Sequence, residues 1–316
     1  KVGRQILSYD NERLIGALDW AMQGRSFDAL KGIYKFNPNS KLEAVVTYNN
    51  DDNDLNDLPE KEIYSIAEAG EITKSLQIIH YDYSGKNKFQ FSAIAMNQVL
   101  QNPSGAHYDL LTVGINSKKY LENIGFFGSA YYQTGKNTLA QSKNAYQFSA
   151  NVDFLIHSKF NVILGTEWLS GRNFDTDSGE NKSFSPMYGT NHLHNGFMDY
   201  FYFGNSHFNS FGLNDYYLKS NLKFSPNSIL QANLHAFTSN GKLGFDTSGE
   251  KIPSYLGTEL DLVFTHKIGK SITANLGHSF MFSGKSMEYL KNVPEPKNLQ
   301  TWSWIAFRIA PNFKIK

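Results

Sequence analysis

The chain has 316 residues, and 30 Lys+Arg against 29 Asp+Glu leave a formal charge of +1, so no uniform field marks a nucleic-acid binder. Charged residues make up only 19%, while 24 Phe, 18 Tyr and 4 Trp bring aromatics to 15%, which excludes a disordered chain and argues against an ordinary helical enzyme. The absence of cysteine excludes disulfide frameworks and thiolate chemistry, and the absence of any run near about 18 apolar residues excludes helical membrane spans.

In chain order, the dominant signal is strict period-two alternation, which puts successive side chains on opposite faces of a strand. Leu42, Ala44, Val46 and Tyr48 alternate with Lys41, Glu43, Thr47 and Asn49. The longest clean stretch sets Tyr146, Phe148, Ala150, Val152, Phe154 and Ile156 against Gln147, Ser149, Asn151 and Asp153. Leu218, Leu222 and Phe224 oppose Lys219, Asn221 and Lys223; Leu230, Ala232, Leu234 and Ala236 oppose Gln231, Asn233 and His235. Leu256, Leu260, Leu262 and Phe264 oppose Glu259 and Asp261. Each stretch runs about 9 to 12 residues, the length of a tilted strand crossing a bilayer.

Alternation alone also fits a soluble β-sandwich, and connection lengths decide between the two. Tight links at 37–40, 84–87, 157–159, 225–228 and 267–270, with a slightly longer one near 117–123, alternate with long polar links at roughly 10–24, 50–72, 97–107, 135–143, 169–213, 239–254 and 283–300. Short turns on one side and long loops on the other are the rhythm of an outer-membrane barrel. The reading is a single all-β domain over 1–316, an antiparallel up-and-down transmembrane β-barrel. Its roughly 14 strands start near residues 1, 25, 41, 73, 88, 108, 124, 144, 160, 214, 229, 255, 271 and 301. Parity assigns the aromatic run Met198–Phe203 to the long 169–213 excursion, at the rim or in the lumen, and not to a further strand.

Two patches carry a family likeness. The first is Gly3-Arg4-Gln5, Asp10-Asn11-Glu12-Arg13-Leu14-Ile15-Gly16, Asp19-Trp20 and Arg25-Ser26-Phe27-Asp28; the second is Pro186-Met187-Tyr188-Gly189-Thr190-Asn191-His192 followed by Asn195-Gly196-Phe197-Met198-Asp199-Tyr200-Phe201. Together they resemble the alginate-export family of outer-membrane porins, in its Bacteroidetes-type branch. The resemblance implies a bacterial outer-membrane location, a barrel of about 18 strands of which about four N-terminal ones are absent from this sequence, and an anion-selective conduit for a polysaccharide. It also implies a pore-lining, substrate-contacting role for Arg4, Arg13 and Arg25.

Only five residues are arginine, and three fall in the first 25 positions. An arginine at a lipid-facing midplane costs roughly 2–4 kcal/mol, so Arg4 is expected to point into the lumen. Arg25 shares a strand phase with Lys31 and Lys35, and these join Lys219 and Lys223 as candidate pore-lining cations; Asp28 falls on the opposite phase and belongs at the rim, with Asp19, His192 and Asp199 as motif residues. The competing reading has these arginines pairing with Asp10, Glu12, Asp19 or Asp28 to pin a loop onto the barrel. Lumen charges of mixed sign, Lys41, Glu43, Lys88, Glu167, Lys219, Lys223, Glu259 and Asp261, favour cross-strand ladders.

Twelve aromatics near strand ends read as headgroup girdles: Tyr48, Tyr81, Tyr83, Tyr108, Tyr131, Tyr132, Tyr146, Trp168, Tyr216, Tyr255, Trp302 and Trp304. Met198–Phe203 is the preferred place for a sugar-stacking platform. His192-Leu193-His194 with Asp199, and the acidic run Asp175–Glu180, are weak metal candidates; the acidic run lacks the full calcium-loop spacing. No nucleophile is paired with a base and no phosphate-cradling loop is present, so neither catalysis nor a cofactor is expected. The expected partners are outer-membrane lipid and lipopolysaccharide, a polysaccharide solute and envelope proteins, with no nucleic acid. The function read from the chain is passive diffusion or export of a hydrophilic solute. The alternatives are a plugged barrel that docks partners and a barrel lipase or protease.

Overall fold

A computed structural model describes residues 1–20, 23–49, 72–86, 88–102, 104–202, 207–293, 295 and 297–311. The expected outer loop at 50–72 lies almost wholly outside these residues, as does Phe203. The described chain is built around one antiparallel sheet. Its strands are β1 (Val2–Gln5), β2 (Phe27–Asn37), β3 (Ser40–Tyr48), β4 (Ile72–Ser84), β5 (Phe89–Gln101), β6 (His107–Leu121), β7 (Ile124–Lys136), β8 (Ser142–His157), β9 (Phe160–Leu169), β11 (Leu213–Ser225), β12 (Ser228–Thr238), β13 (Tyr255–Ile268), β14 (Ile272–Ser283) and β15 (Leu299–Ile309), in which each hydrogen-bonds to its sequence neighbour. A two-residue β10 (Glu180–Asn181) inside the long excursion pairs parallel with Ser142 and Lys143 at the start of β8. One short helix, α1 (Ser286–Lys291), lies in the last long loop. Among the described residues β1 pairs only with β2 and β15 only with β14, so the 14-strand path does not close on itself.

The outer side of the wall is apolar. Phe148, Phe154, Leu164, Leu218, Leu234 and Phe264 are all exposed, while the residues between them face inward. On the inward phase Gln147, Glu167, Asp215, Asn233, His235, Glu259 and Asp261 are buried. This polarity is the reverse of a soluble sandwich, where the Leu and Phe phase would be hidden. It gives the strands an outer surface matched to hydrocarbon and leaves the polar groups to be satisfied from within. Run Met198–Tyr202 forms no strand, as the turn parity requires.

The inside is not open water along its whole length. The segment between β1 and β2 and the excursion between β9 and β11 both fold inward from the long-loop side. They bury Leu7, Tyr9, Leu14, Ile15, Phe184, Phe201, Tyr202 and Phe211 in one apolar cluster with Leu76, Ile78, Ile94 and Met96 from the inner faces of β4 and β5. Those last two strands carry apolar residues on their lumen phase for this reason: they receive the plug. Elsewhere the wall meets the plug through polar groups.

Candidate functional site: the plugged lumen

The two patches singled out in the sequence meet here. Ile15 and Tyr188 form an isolated parallel bridge. Gly16 N donates to Tyr188 O at 2.8 Å, Tyr188 N to Leu14 O at 2.9 Å and Thr190 N to Glu12 O at 2.9 Å. Glycine is required where the segments cross: a Cβ on Gly189 would stand 2.4 Å from Arg13 O, and one on Gly16 would stand 2.1 Å from Thr190 Oγ1. Side chains complete the seam. Thr190 Oγ1 donates to Glu12 Oε2 at 2.5 Å, and Ser8 Oγ to Glu12 Oε1 at 2.7 Å. Arg25 Nη1 donates to Tyr188 O, and to Gly189 O at 3.3 Å. Burial holds that guanidinium below its usual range, at about 10, so it is still cationic at neutral pH.

Arg13 anchors the seam to the wall. Fully buried, it donates through Nε to Glu167 Oε1 of β9 at 2.8 Å, pairs through Nη2 with Glu167 Oε2, and donates from Nη2 to Asn195 Oδ1 at 2.9 Å. Asn195 Nδ2 in turn donates to Glu167 Oε2 at 2.9 Å and to Asp215 Oδ2 of β11 at 3.2 Å, and Gln147 Nε2 of β8 donates to Glu167 Oε1 at 2.9 Å. His235 Nδ1 of β12 lies 2.9 Å from Asp215 Oδ1. Further along, the backbone N–H of Met198 donates to Glu259 Oε1 at 2.9 Å and that of Phe197 to Asp261 Oδ2 at 3.3 Å, both on β13. On the opposite wall Asp10 Oδ1 lies 3.1 Å from His80 Nε2 of β4 and accepts from Ser92 Oγ of β5 at 2.5 Å. The plug is thus tied to both sides of the sheet by hydrogen-bonded charges, which is how buried charges are tolerated.

The other site residues fall as follows. Lys31, on the lumen phase, is paired with Glu43 at 2.5 Å, and Lys41 Nζ donates to the same carboxylate at 3.0 Å. Lys35, Lys219 and Lys223 also take the lumen phase, Lys219 lying 4.7 Å above the Tyr217 ring. Asp28, near the loop end of β2, hydrogen-bonds with Arg4, as the competing reading of the arginines has it, and this takes Arg4 off the expected lumen position. Arg4 stands opposite Asp28 in register, and Arg4 Nη2 donates to Asp28 Oδ2 at 2.8 Å. That pair takes the phase of exposed Leu30, opposite to buried Ala29, so both groups point away from the lumen. The four-residue β1 offers too short a pattern to set its phase from sequence. Asp19 is exposed. His192 Nδ1 lies 2.8 Å from Asp199 Oδ2, and its ring stacks on Trp20 at 4.3 Å.

His194 points elsewhere, half-buried beside Arg13 and Glu167, with its buried Nε2 lacking a hydrogen-bond partner. Burial first and the nearby Arg13 charge second push it down to about 3, against an opposing pull from Glu167. Asp177 Oδ1 accepts from Gly179 N at 2.7 Å, so the acidic run closes a turn. Among the described residues no group of three His, Asp or Glu is placed to hold a metal.

Four aromatics expected in the girdle turn inward instead, among them Tyr108, which pairs in register with buried Leu100 on the lumen phase. Tyr131 is buried, its hydroxyl accepting from Asn116 Nδ2 at 2.7 Å, and register pairs Trp302 with Ser279 and Trp304 with Gly277 on the lumen phase. Among the described residues of the expected sugar platform, Phe201 and Tyr202 are plug core and Tyr200 keeps a partly open ring. A concavity of about 730 Å³ follows the outward residues Gly128, Ala150, Thr166 and Ala236, where hydrocarbon lies against the wall, and so lies outside the lumen.

Below the plug, the turn-side end of the lumen phase is basic. It carries Lys35, Lys41, Lys118, Lys223, Lys267 and Arg308 against Asp82 and Asp153. No local motif announces this; it follows only from strand phase combined with distance from the short turns.

Alginate export is the family matched by residues 1–292. No curated protein matches the sequence. Among solved structures, OccK11 (OpdR) of Pseudomonas aeruginosa superposes with a TM-score of 0.59 at 12% identity, covering 99% of this chain and 77% of that one. The outer membrane protein OpdK of Pseudomonas aeruginosa gives 0.61 at 10% identity, over 97% of this chain and 75% of that one. A structure of OpdK with vanillate gives 0.60 at 10%, over 97% and 74%. At such identities these likenesses establish the fold, an outer-membrane β-barrel.

Proposed function

The chain belongs to the alginate export family and is an integral outer-membrane barrel of channel type, and from that premise we propose that it is a passive conduit for an anionic polysaccharide entering from the turn side. The observation that carries this reading is the basic turn-side mouth. Six cations face Asp82 and Asp153, with Glu43 bonded to one of them, Lys41; this excess raises the local concentration of a polyanion, and in low-dielectric walls such a field is focused along the bore. The effect decays over a Debye length of about 8–10 Å in physiological salt, so it acts at the entrance and not across the whole wall. Deeper in, the lumen holds a plug whose wall contacts are largely carboxylates. A polyanion therefore does not thread that network; it passes alongside it. Arg13 and Arg25 act in this reading as fasteners of the plug, whereas Lys35 and Lys223 meet the solute. The protein does no covalent chemistry; the solute moves down its own gradient or is pushed by machinery behind it.

The packed plug favours a second reading, a silent barrel whose long loops dock envelope proteins. Purified protein in planar bilayers under a KCl gradient separates the two. Open-channel current with a reversal potential on the anion side supports the conduit. Cation preference overturns the polyanion assignment, and absence of current at all voltages favours the docking barrel.

A further inference from the structure

The lumen face of β15 carries a feature that the channel reading does not use. Trp302 and Trp304 point inward two residues apart, with ring centroids separated by 6.1 Å at an interplanar angle of 38°. Trp304 lies across Gly277 of β14, where an added Cβ would stand 2.1 Å from its Cε2, so its half-buried indole packs on the inner face of the wall. Trp302 is 40% exposed. Toward the turn side the same phase leads to Arg308, which pairs across Thr273 with Lys267. Toward the loop side it leads to Gln300, where Tyr200 of the plug donates its hydroxyl to Gln300 Oε1. Lys291 of α1 stands 6.0 Å from the Tyr200 ring centroid.

Two indoles on the wall and the plug's Tyr200, bonded to Gln300, thus lead from the basic mouth to the plug, with cations at the foot and at the head. The inner faces of β4 and β5 hold aliphatic residues that the plug covers; on the lumen phase of β15, the end strand of the described sheet, Trp302 is exposed and Trp304 half-buried. An indole face is a large flat surface with negative charge density, suited to the C–H face of a pyranose ring. A guanidinium or ammonium beside it is suited to a ring carboxylate, and guanidinium in particular binds carboxylates through a fixed fork.

We infer that Trp304, Trp302 and Tyr200, flanked by Arg308 and Lys291, form a sliding track that binds a linear uronate polysaccharide by ring stacking and carboxylate pairing. The inference rests on the anionic-polysaccharide reading above and adds to it that sugar rings are recognised, not charge alone. A stacking track lets a polymer advance one ring at a time, since each step exchanges one ring contact for an equivalent one.

The test is current block in planar bilayers, with polymer added on the turn side. The probes are an alginate oligosaccharide, polyaspartate of matched charge as an anion without sugar rings, and a neutral malto-oligosaccharide. In the native protein the alginate oligosaccharide should block at lower concentration than polyaspartate. The double variant Trp302→Ala, Trp304→Ala should need roughly tenfold more alginate oligosaccharide, with KCl conductance and polyaspartate block unchanged, while Trp302→Phe, Trp304→Phe retains block within about threefold. The single Trp302→Ala, at the more exposed ring, should give a smaller loss in the same direction and covers the case of poor folding of the pair. Equal block of native and alanine variants by the alginate oligosaccharide overturns the track, as does equal weakening of both anionic polymers. A conducting native protein blocked by neither anionic polymer, or blocked best by the neutral one, overturns instead the anionic-conduit reading on which the track rests.

Discussion

Arg13 and Glu167 stand 154 residues apart in the chain and meet inside the barrel, where Arg13 Nε donates to Glu167 Oε1 at 2.8 Å. The pair joins the segment after β1 to the wall of β9, and Asn195 from the long excursion completes it from the other side. A buried pair of this kind contributes more to specifying one arrangement than to net stability, because both charges have been taken out of water.

Removing one partner is therefore worse than removing both. Arg13→Met leaves the Glu167 carboxylate buried without its cation and should weaken plug docking by about 3–5 kcal/mol. The double change Arg13→Met, Glu167→Met should recover most of that loss. Limited proteolysis of the folded protein, with heat-modifiable gel migration as the control for barrel integrity, reads the difference. A single variant as resistant as the native protein, or a double variant as sensitive as the single, contradicts the anchoring role.

His194 makes docking depend on pH. Its value in the docked plug, about 3, lies below the ordinary 6.5. The free segment thus gains a proton as pH falls through 6.5, and the docked one refuses it until about pH 3. Docking is unaffected above pH 7 and weakens progressively between about 6.5 and 3. Measured as protease access or as channel current at pH 7 and pH 4.5, the plug should be looser in acid. His194→Gln should flatten this part of the dependence; an unchanged acid response in that variant would remove His194 as its cause.

The face assignment is open to direct test on β9. Leu164, 59% exposed on the outer phase near mid-strand, replaced by Arg should cost about 2–4 kcal/mol of folding into vesicles. Asn161, on the inner phase, should accept Arg at much smaller cost. Urea titrations of folding into phospholipid vesicles decide it, and equal costs at the two positions would invert or abolish the inside–outside reading.

Much of the wall was legible in the chain. Alternation such as Tyr146 to Ile156 carries its own phase, because each residue on one face predicts the next, and turn signals such as Ser225-Pro226-Asn227-Ser228 set the parity. Every strand of the 14-strand path begins within two residues of its expected start. Where the pattern was short or mixed, phase was lost: Arg4 on four-residue β1 and the two tryptophans of β15 were each assigned to the opposite side. The two-residue β10 has no periodic signature at all.

The plug was less legible, for a different reason. Residues 10–16 and 186–192 carry motif character separately, but nothing local states that they pair. Their contact is sealed by backbone hydrogen bonds between Leu14, Gly16 and Tyr188, which any residue types can make. The glycines at 16 and 189 were the available signal, since a close approach of two backbones is a recurrent reason for glycine. Likewise, apolar lumen residues on β4 and β5 break the polar-inside rule, and that breach marks where something must be received.

The stopper has its two roots eight strands apart along the sheet, one between β1 and β2 and the other between β9 and β11, and its halves are stitched together in the middle. A beam held at both banks has no free end to swing. Passage must then be won by flexing its span or by squeezing past beneath it, so the aperture widens by degrees and does not snap open like a hinged door.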